Sequence, residues 1–169
     1  MSLAESLLPD FDEEIAATRR VLERVPEDRL DWSPHEKSMT LGRLASHVAE
    51  TPGWAGALLR QDSFDVESGG DGGYEPADCG SVEEILALLD ESAASAREMV
   101  AATDDEAFLR PWSLLRGGET IFSVPRIGVF RRMMIHHLIH HRGQLTVYLR
   151  LLEVPVPQTY GPTADEAEM

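Results

Sequence analysis

Apolar side chains recur every three or four residues along most of this chain, and four stretches read as amphipathic helices on that spacing. In the first, about Leu3 to Val25, the residues Leu7, Phe11, Ile15, Leu22 and Val25 alternate with Asp12, Glu13, Glu14, Arg19 and Arg20. Thr40 offers an N-cap for a second helix that carries Leu41, Leu44, His47, Val48, Trp54 and Leu58. Pro52 lies inside that pattern, deletes a backbone hydrogen bond and crowds the preceding turn, which predicts a kink or break within a turn of His47. A third helix opens on the capping box Ser81-Val82-Glu83-Glu84 and runs through Ile85, Leu88, Leu89 and Met99 to about Ala102. Ser123 and Pro125 then announce the fourth and longest, about Arg126 to Leu152.

The connections are uneven in length. Pro26 to Pro34 is rich in turn residues, and Ser63 to Gly80 contains Ser68-Gly69-Gly70-Asp71-Gly72-Gly73, the composition of a mobile cover or a partly disordered loop. Its glycines lack a phosphate-loop lysine, so it suggests no nucleotide role. Two short runs around Arg116-Gly117-Gly118-Glu119 can close a small hairpin before the last helix. The expected fold is therefore all-α, a four-helix bundle with long crossover connections and room for that hairpin. Residues 1–154 form the bundle in this reading, and residues 155–169 form a tail. Val154-Pro155-Val156-Pro157 cannot continue a helix, and Ala164-Asp165-Glu166-Ala167-Glu168 reads as solvated.

Composition narrows the function. A length of 169 residues, 43% of them hydrophobic, suits one domain with its own core. The formal net charge of -15 repels phosphate backbones and anionic lipid surfaces, which argues against nucleic-acid and membrane partners. Cys79 is the only cysteine, so no internal disulfide can form, and it reads as an incidental loop thiol in a reducing compartment. The opening Met1-Ser2-Leu3-Ala4-Glu5 has no basic leader or apolar core, and a cytoplasmic location is expected.

The chemistry lies in the histidines, four of which crowd into His136-His137-Leu138-Ile139-His140-His141. A helical wheel at about 100° per residue groups His137 and His141 with Phe130, Met133, Met134, Gln144, Leu145, Tyr148, Leu151 and Leu152. His136 and His140 fall on a flank, and Arg131, Arg132, Arg142 and Arg150 fall opposite. On the second helix His47 shares a face with Leu44, Thr51, Trp54 and Leu58, with Glu50 at the edge. Three inward imidazoles each leave a ring nitrogen in need of a partner. An i, i+4 pair with a third histidine from another helix can present three nitrogens to Zn²⁺ or a similar ion, leaving an open coordination position. The competing account is core-edge histidines satisfied by carbonyls or carboxylates.

These residues also carry a family resemblance. His137-Leu138-Ile139-His140-His141-Arg142-Gly143-Gln144 is similar to the H-x-x-x-H-R-G-Q signature of the DinB/YfiT-like superfamily, and Leu44-Ala45-Ser46-His47-Val48-Ala49-Glu50 is similar to its L-x-x-H-x-x-E. Asp31 to Ser38, the Trp112 region and Pro157 to Glu166 resemble further pieces of that pattern. The resemblance implies a four-helix bundle, usually dimeric, with one divalent metal on His47, His137 and His141. It also implies relatives that include transferases and isomerases using low-molecular-weight thiols such as bacillithiol or mycothiol. Pro52 and the glycine-rich loop depart from the pattern.

The expected activity is that of a metal-dependent enzyme in which the ion, zinc or nickel in first place, activates a small thiol or water for thiol transfer or for hydrolysis of a small substrate. The alternative is a non-catalytic, metal-braced bundle acting in binding or stress response. Glu50 is either a solvated helix carboxylate, the preferred reading, or a partner of His47 or general base. Tyr148 and Gln144 are candidates for meeting substrate or for satisfied core positions, and Trp54 for a pocket wall. Arg142 is expected to face outward in an ion pair or an interface contact. Ile135 and Ile139, outward at i, i+4, suggest a homodimer face.

Overall fold

Ser2 starts the first helix by a reciprocal cap: its hydroxyl accepts the Glu5 N–H at 3.1 Å while the Glu5 carboxylate accepts the Ser2 N–H at 2.7 Å. The computed structural model describes residues 1–67 and 75–166. The glycine-rich segment 68–73 and the last residues of the acidic end lie outside them. Helix α1 spans Leu3–Leu22. Helix α2, Leu41–Glu50, begins where the Thr40 hydroxyl accepts the Arg43 N–H at 3.2 Å. It stops where Pro52 dictates: Thr51–Trp54 is a 3₁₀ turn, and α3 resumes over Ala55–Arg60. After β1, Ser63–Asp65, helix α4 covers Val82–Ala102. Its Ser81 cap accepts from Glu84 N–H, but the Glu84 carboxylate takes the Gly80 N–H instead of closing the box.

A short helix α5, Asp105–Leu109, precedes strands β2, Pro111–Arg116, and β3, Glu119–Pro125. The hairpin turns through Gly117 and Gly118 at φ 57° and 81°, values that favour glycine, and the Asp65 carboxylate accepts both of their N–H groups. β1 pairs parallel with β2, and β2 antiparallel with β3. The fold is thus mostly helical with a three-stranded sheet, which corrects the all-α expectation. A three-residue strand whose parallel partners lie 50 positions away, as Ser63 pairs with Ser113, has too few side chains to show an alternation of its own. Trp112 carries the sheet onto the core, its ring buried and its indole N–H donated to the Ala57 carbonyl at 3.0 Å.

The last helical run comprises α6, Arg126–Val129, a π-helical stretch Phe130–His136, and α7, His137–Leu151. α1 packs on α4 and α7, and α2 packs on the same two helices. One hydrophobic cluster joins α1, α3, the end of α4 and the sheet through Leu7, Phe11, Leu58, Met99, Phe108 and Trp112. A second joins α1, α2, α4 and α7 through Leu22, Leu44, Ile85, Leu89, Leu138 and Leu145. Among the described residues no helix is long and apolar enough to cross a membrane.

Arg142 reverses its expected placement. It is 2% exposed, its guanidinium 2.7 Å from the Glu14 carboxylate and 2.6 Å from the Tyr160 hydroxyl, which itself donates to Glu14. The buried stripe of α7 is Leu138, Arg142, Leu145 and Leu149, so the histidines sit on its border and not at its centre. Upstream, the wider π-turns change the rotation per residue and carry Ile135 into the core, with Ile139 packed against it. The two isoleucines therefore do not form the outward pair that suggested a dimer face. Gln144 and Leu151, expected inside, are exposed. The segment after Pro155 is not a free tail through its described part. Val156 and Pro157 are buried, Asp165 pairs with Arg150, and Glu166 lies 2.8 Å from Arg24.

Removing one partner of a buried ion pair strands the other charge. Arg142→Met is expected to lower the unfolding free energy by about 3–5 kcal/mol in urea titrations. Arg97→Met, which removes an exposed pair with Asp12, is expected to move the midpoint far less.

Candidate metal centre

The break at Pro52 ends α2 one turn beyond His47, and the Thr51 hydroxyl donates to the His47 carbonyl at 2.7 Å, closing that end of the helix. His47 is 7% exposed and faces α7, where His137 opens the helix and His141 follows one turn later, both partly buried. The ring centroids are 5.1 Å apart for His47 and His137, 4.6 Å for His47 and His141, and 4.4 Å for His137 and His141. One ring nitrogen from each lies within 4.8 Å of the others, and Nε2 of His47 is 2.9 Å from Nε2 of His137. The structure thus brings together the three histidines singled out in the sequence. His136 and His140 stay exposed, although the His140 ring contacts His141 at 4.9 Å between centroids.

Neighbouring acceptors fix which nitrogen carries the proton. The Glu50 carboxylate lies 2.9 Å from His47 Nδ1, and a carboxylate can only accept, so Nδ1 is the N–H and Nε2 keeps its lone pair. The Gln144 side-chain oxygen, 2.7 Å from His141 Nδ1, imposes the same tautomer there. Glu50 is 8% exposed, its second oxygen accepting the Ala77 N–H at 2.7 Å and Arg43 standing 3.5 Å from the first. The solvated reading of Glu50 is therefore corrected: it is a buried partner of His47. Gln144, although exposed, is a partner of His141, a role the sequence reading missed. The available signal was the spacing, since an acceptor follows His47 and His141 by three residues and so lies one turn on.

Burial holds His137 down to about 4, with His141, His47 and His140 adding to the effect. Burial also lowers His141, against the bond to Gln144, with His47 and His140 lowering it further. Both imidazoles are thus uncharged near neutral pH, the state in which a ring nitrogen can bind a metal. Three ring nitrogens converging from two helices, two of the rings oriented by an acceptor on the far side, fit a divalent ion that accepts imidazole. Trp54 walls the group, its ring 5.5 Å from His47 and 5.0 Å from His137. Tyr148 is engaged elsewhere, its hydroxyl donated to the Met39 carbonyl at 3.2 Å and its ring packed edge-on against Trp32. Cys79 is partly buried with its N–H on the Ser46 hydroxyl.

The depressed histidine makes stability pH-dependent with a definite sign. Between pH 6.5 and about 4 the unfolded chain binds a proton at His137 that the folded chain refuses, so stability falls as pH falls through that window. In chelator-treated protein, urea midpoints measured from pH 7 to 4 are expected to fall less steeply in His137→Gln than in wild type.

The family model described as DinB superfamily matches residues 10–145. Among solved structures, a DinB-like protein from Bacillus cereus aligns with a TM-score of 0.70 at 21% identity, covering 92% of this chain and 97% of that one. A DinB-like protein from Bacillus subtilis aligns with a TM-score of 0.65 at 16% identity, covering 97% and 99%. At these identities the two structures speak for the fold alone. No curated protein matches the chain. With its fold shared and its family pattern running from the first helix into the last, the chain belongs to the DinB superfamily.

Proposed function

We propose that this chain is a metal-dependent enzyme acting on a small molecule at His47, His137 and His141. The carrying observation is three converging ring nitrogens with no fourth protein ligand among the described residues. A closed structural site uses four protein ligands, whereas three leave a position for water or substrate. A bound divalent ion, zinc or nickel first, would supply Lewis acidity to a thiol or a water at that position.

The chain's own residues supply orientation and shielding. Glu50 and Gln144 hold protons at His47 Nδ1 and His141 Nδ1, which keeps both Nε2 atoms as donors of electron pairs. Trp54 and the buried α2 side limit access of water, while the partly exposed His137 and His141 leave the α7 side reachable. Low-molecular-weight thiol transfer is the leading reaction in this proposal, with hydrolysis beside it. Homodimerisation belongs to the proposal as well, on the family resemblance. The closed ring of contacts among α1, α2, α4 and α7 supports describing the long helices as a four-helix bundle. A second reading, a metal that only braces helices, is favoured by one fact: the triad bridges α2 and α7.

Elemental analysis of untagged protein loaded with Zn²⁺ or Ni²⁺ is expected to give about one ion per chain for wild type and far less for His137→Ala. Equal metal in both would remove the triad as the site. Metal-loaded protein assayed with bacillithiol, mycothiol and glutathione, and with ester and amide substrates, is expected to turn over at least one. Silence throughout with metal bound would favour the brace.

A further inference from the structure

Glu50 faces two ways. Its Oε1 accepts from His47, and its Oε2 accepts the N–H of Ala77, which lies in the connection between the sheet and α4. The same stretch is held on α2 at two more points. Arg43 donates to the Ala77 carbonyl at 3.2 Å, and the Cys79 N–H donates to the Ser46 hydroxyl at 3.0 Å. Arg43, Ser46 and Glu50 are three and four residues apart, so they form one row along α2, and residues 77–79 lie along that row. Ser46 is completely buried and Glu50 nearly so, which makes this stretch part of the wall that separates the His47–Glu50 pair from water.

A buried carboxylate needs compensating charge or donors. Its partners include the N–H groups of His47 and Ala77 and the Arg43 guanidinium at 3.5 Å. A divalent cation on the far side of the His47 ring would place positive charge in line with it, and a carboxylate–imidazole–cation row strengthens each link. Strengthening at Oε1 fixes the carboxylate, and a fixed carboxylate presents Oε2 to Ala77.

We propose that Glu50 is a positioning residue that couples the histidine triad to residues 77–79, so that metal binding tightens the docking of this stretch on α2 and its docking in turn raises metal affinity. The inference rests on the metal reading above. Reciprocity follows from linkage, because two events that favour one arrangement must favour each other by the same factor.

The test measures Zn²⁺ affinity by competition with a chromogenic chelator, and amide exchange of the peptide spanning Ala77 to Cys79 with and without Zn²⁺. Wild type, Glu50→Gln and Ser46→Ala are compared, with circular dichroism as the check on folding. In wild type, Zn²⁺ is expected to slow exchange at Ala77 and Cys79. Glu50→Gln is expected to bind Zn²⁺ about 10- to 100-fold more weakly and to lose the Zn²⁺-dependent protection. Ser46→Ala leaves Glu50 and all three histidines in place, and its Zn²⁺ affinity is expected to fall several-fold through the loosened stretch alone. Unchanged affinity in both variants, or the same protection by Zn²⁺ in Glu50→Gln as in wild type, would overturn the coupling while leaving the metal site standing. Absence of Zn²⁺ binding in wild type would overturn the metal reading itself, and the coupling with it.

Discussion

Three imidazoles meeting in the seam between α2 and α7 are costly unless each polar nitrogen finds a partner, and the surrounding structure is arranged around that requirement. Pro52 ends α2 just past His47, the border of the α7 stripe supplies His137 and His141, and Glu50 and Gln144 each take an outward N–H. What is left over is one ring nitrogen from each histidine, aimed at one small volume. Nε2 of His47 and Nε2 of His137 stand 2.9 Å apart, a hydrogen-bond separation in which the His137 N–H donates to His47, and one too short for a metal with two ordinary Zn–N bonds of about 2.0–2.1 Å at a tetrahedral angle. Binding an ion would therefore require the rings to part slightly, which the border position of His137 permits.

Much of this was legible in the sequence. The helix starts at Thr40 and Ser81 were written in capping residues, the interruption at Pro52 in the chemistry of proline, and the hairpin in two adjacent glycines. Each is a local signal, readable without knowing what the segment packs against. Strand β1 and helix α5 are short, and β1 exists only because β2 arrives alongside it, so neither left a pattern long enough to read. The role of Ala77 was invisible for a different reason, since a backbone N–H carries no residue identity at all.

Arg142 shows where a helical wheel misleads. A wheel places charge outward by default, and centring it on two histidines rotated the inferred core toward them. The actual stripe includes the arginine because Glu14, Thr18 and Tyr160 satisfy its guanidinium inside the protein. That network has a positional consequence. Arg142 is adjacent to His141 in sequence, so tying it to α1 and to the C-terminal segment sets the rotation of α7 about its own axis. The same rotation determines that His137 and His141 face α2. A motif arginine that touches none of the three histidine nitrogens can thus be needed for their convergence.

The two acceptors differ in a way that bears on how the centre would work. Glu50 is a buried carboxyl tied to the backbone of Ala77, whereas Gln144 is an exposed amide. The α2 side of the triad is therefore dry and fixed, and the α7 side is open to solvent. A carboxylate increases the electron-donating power of the imidazole it faces more than an amide does, so His47 is the strongest donor of the set and also the least accessible. A purely structural clamp would gain nothing from such asymmetry and would do better with every ligand buried. A centre that must accept and release a small molecule needs both halves: a rigid side to hold the ion, and a yielding, wet side through which the substrate can come and go.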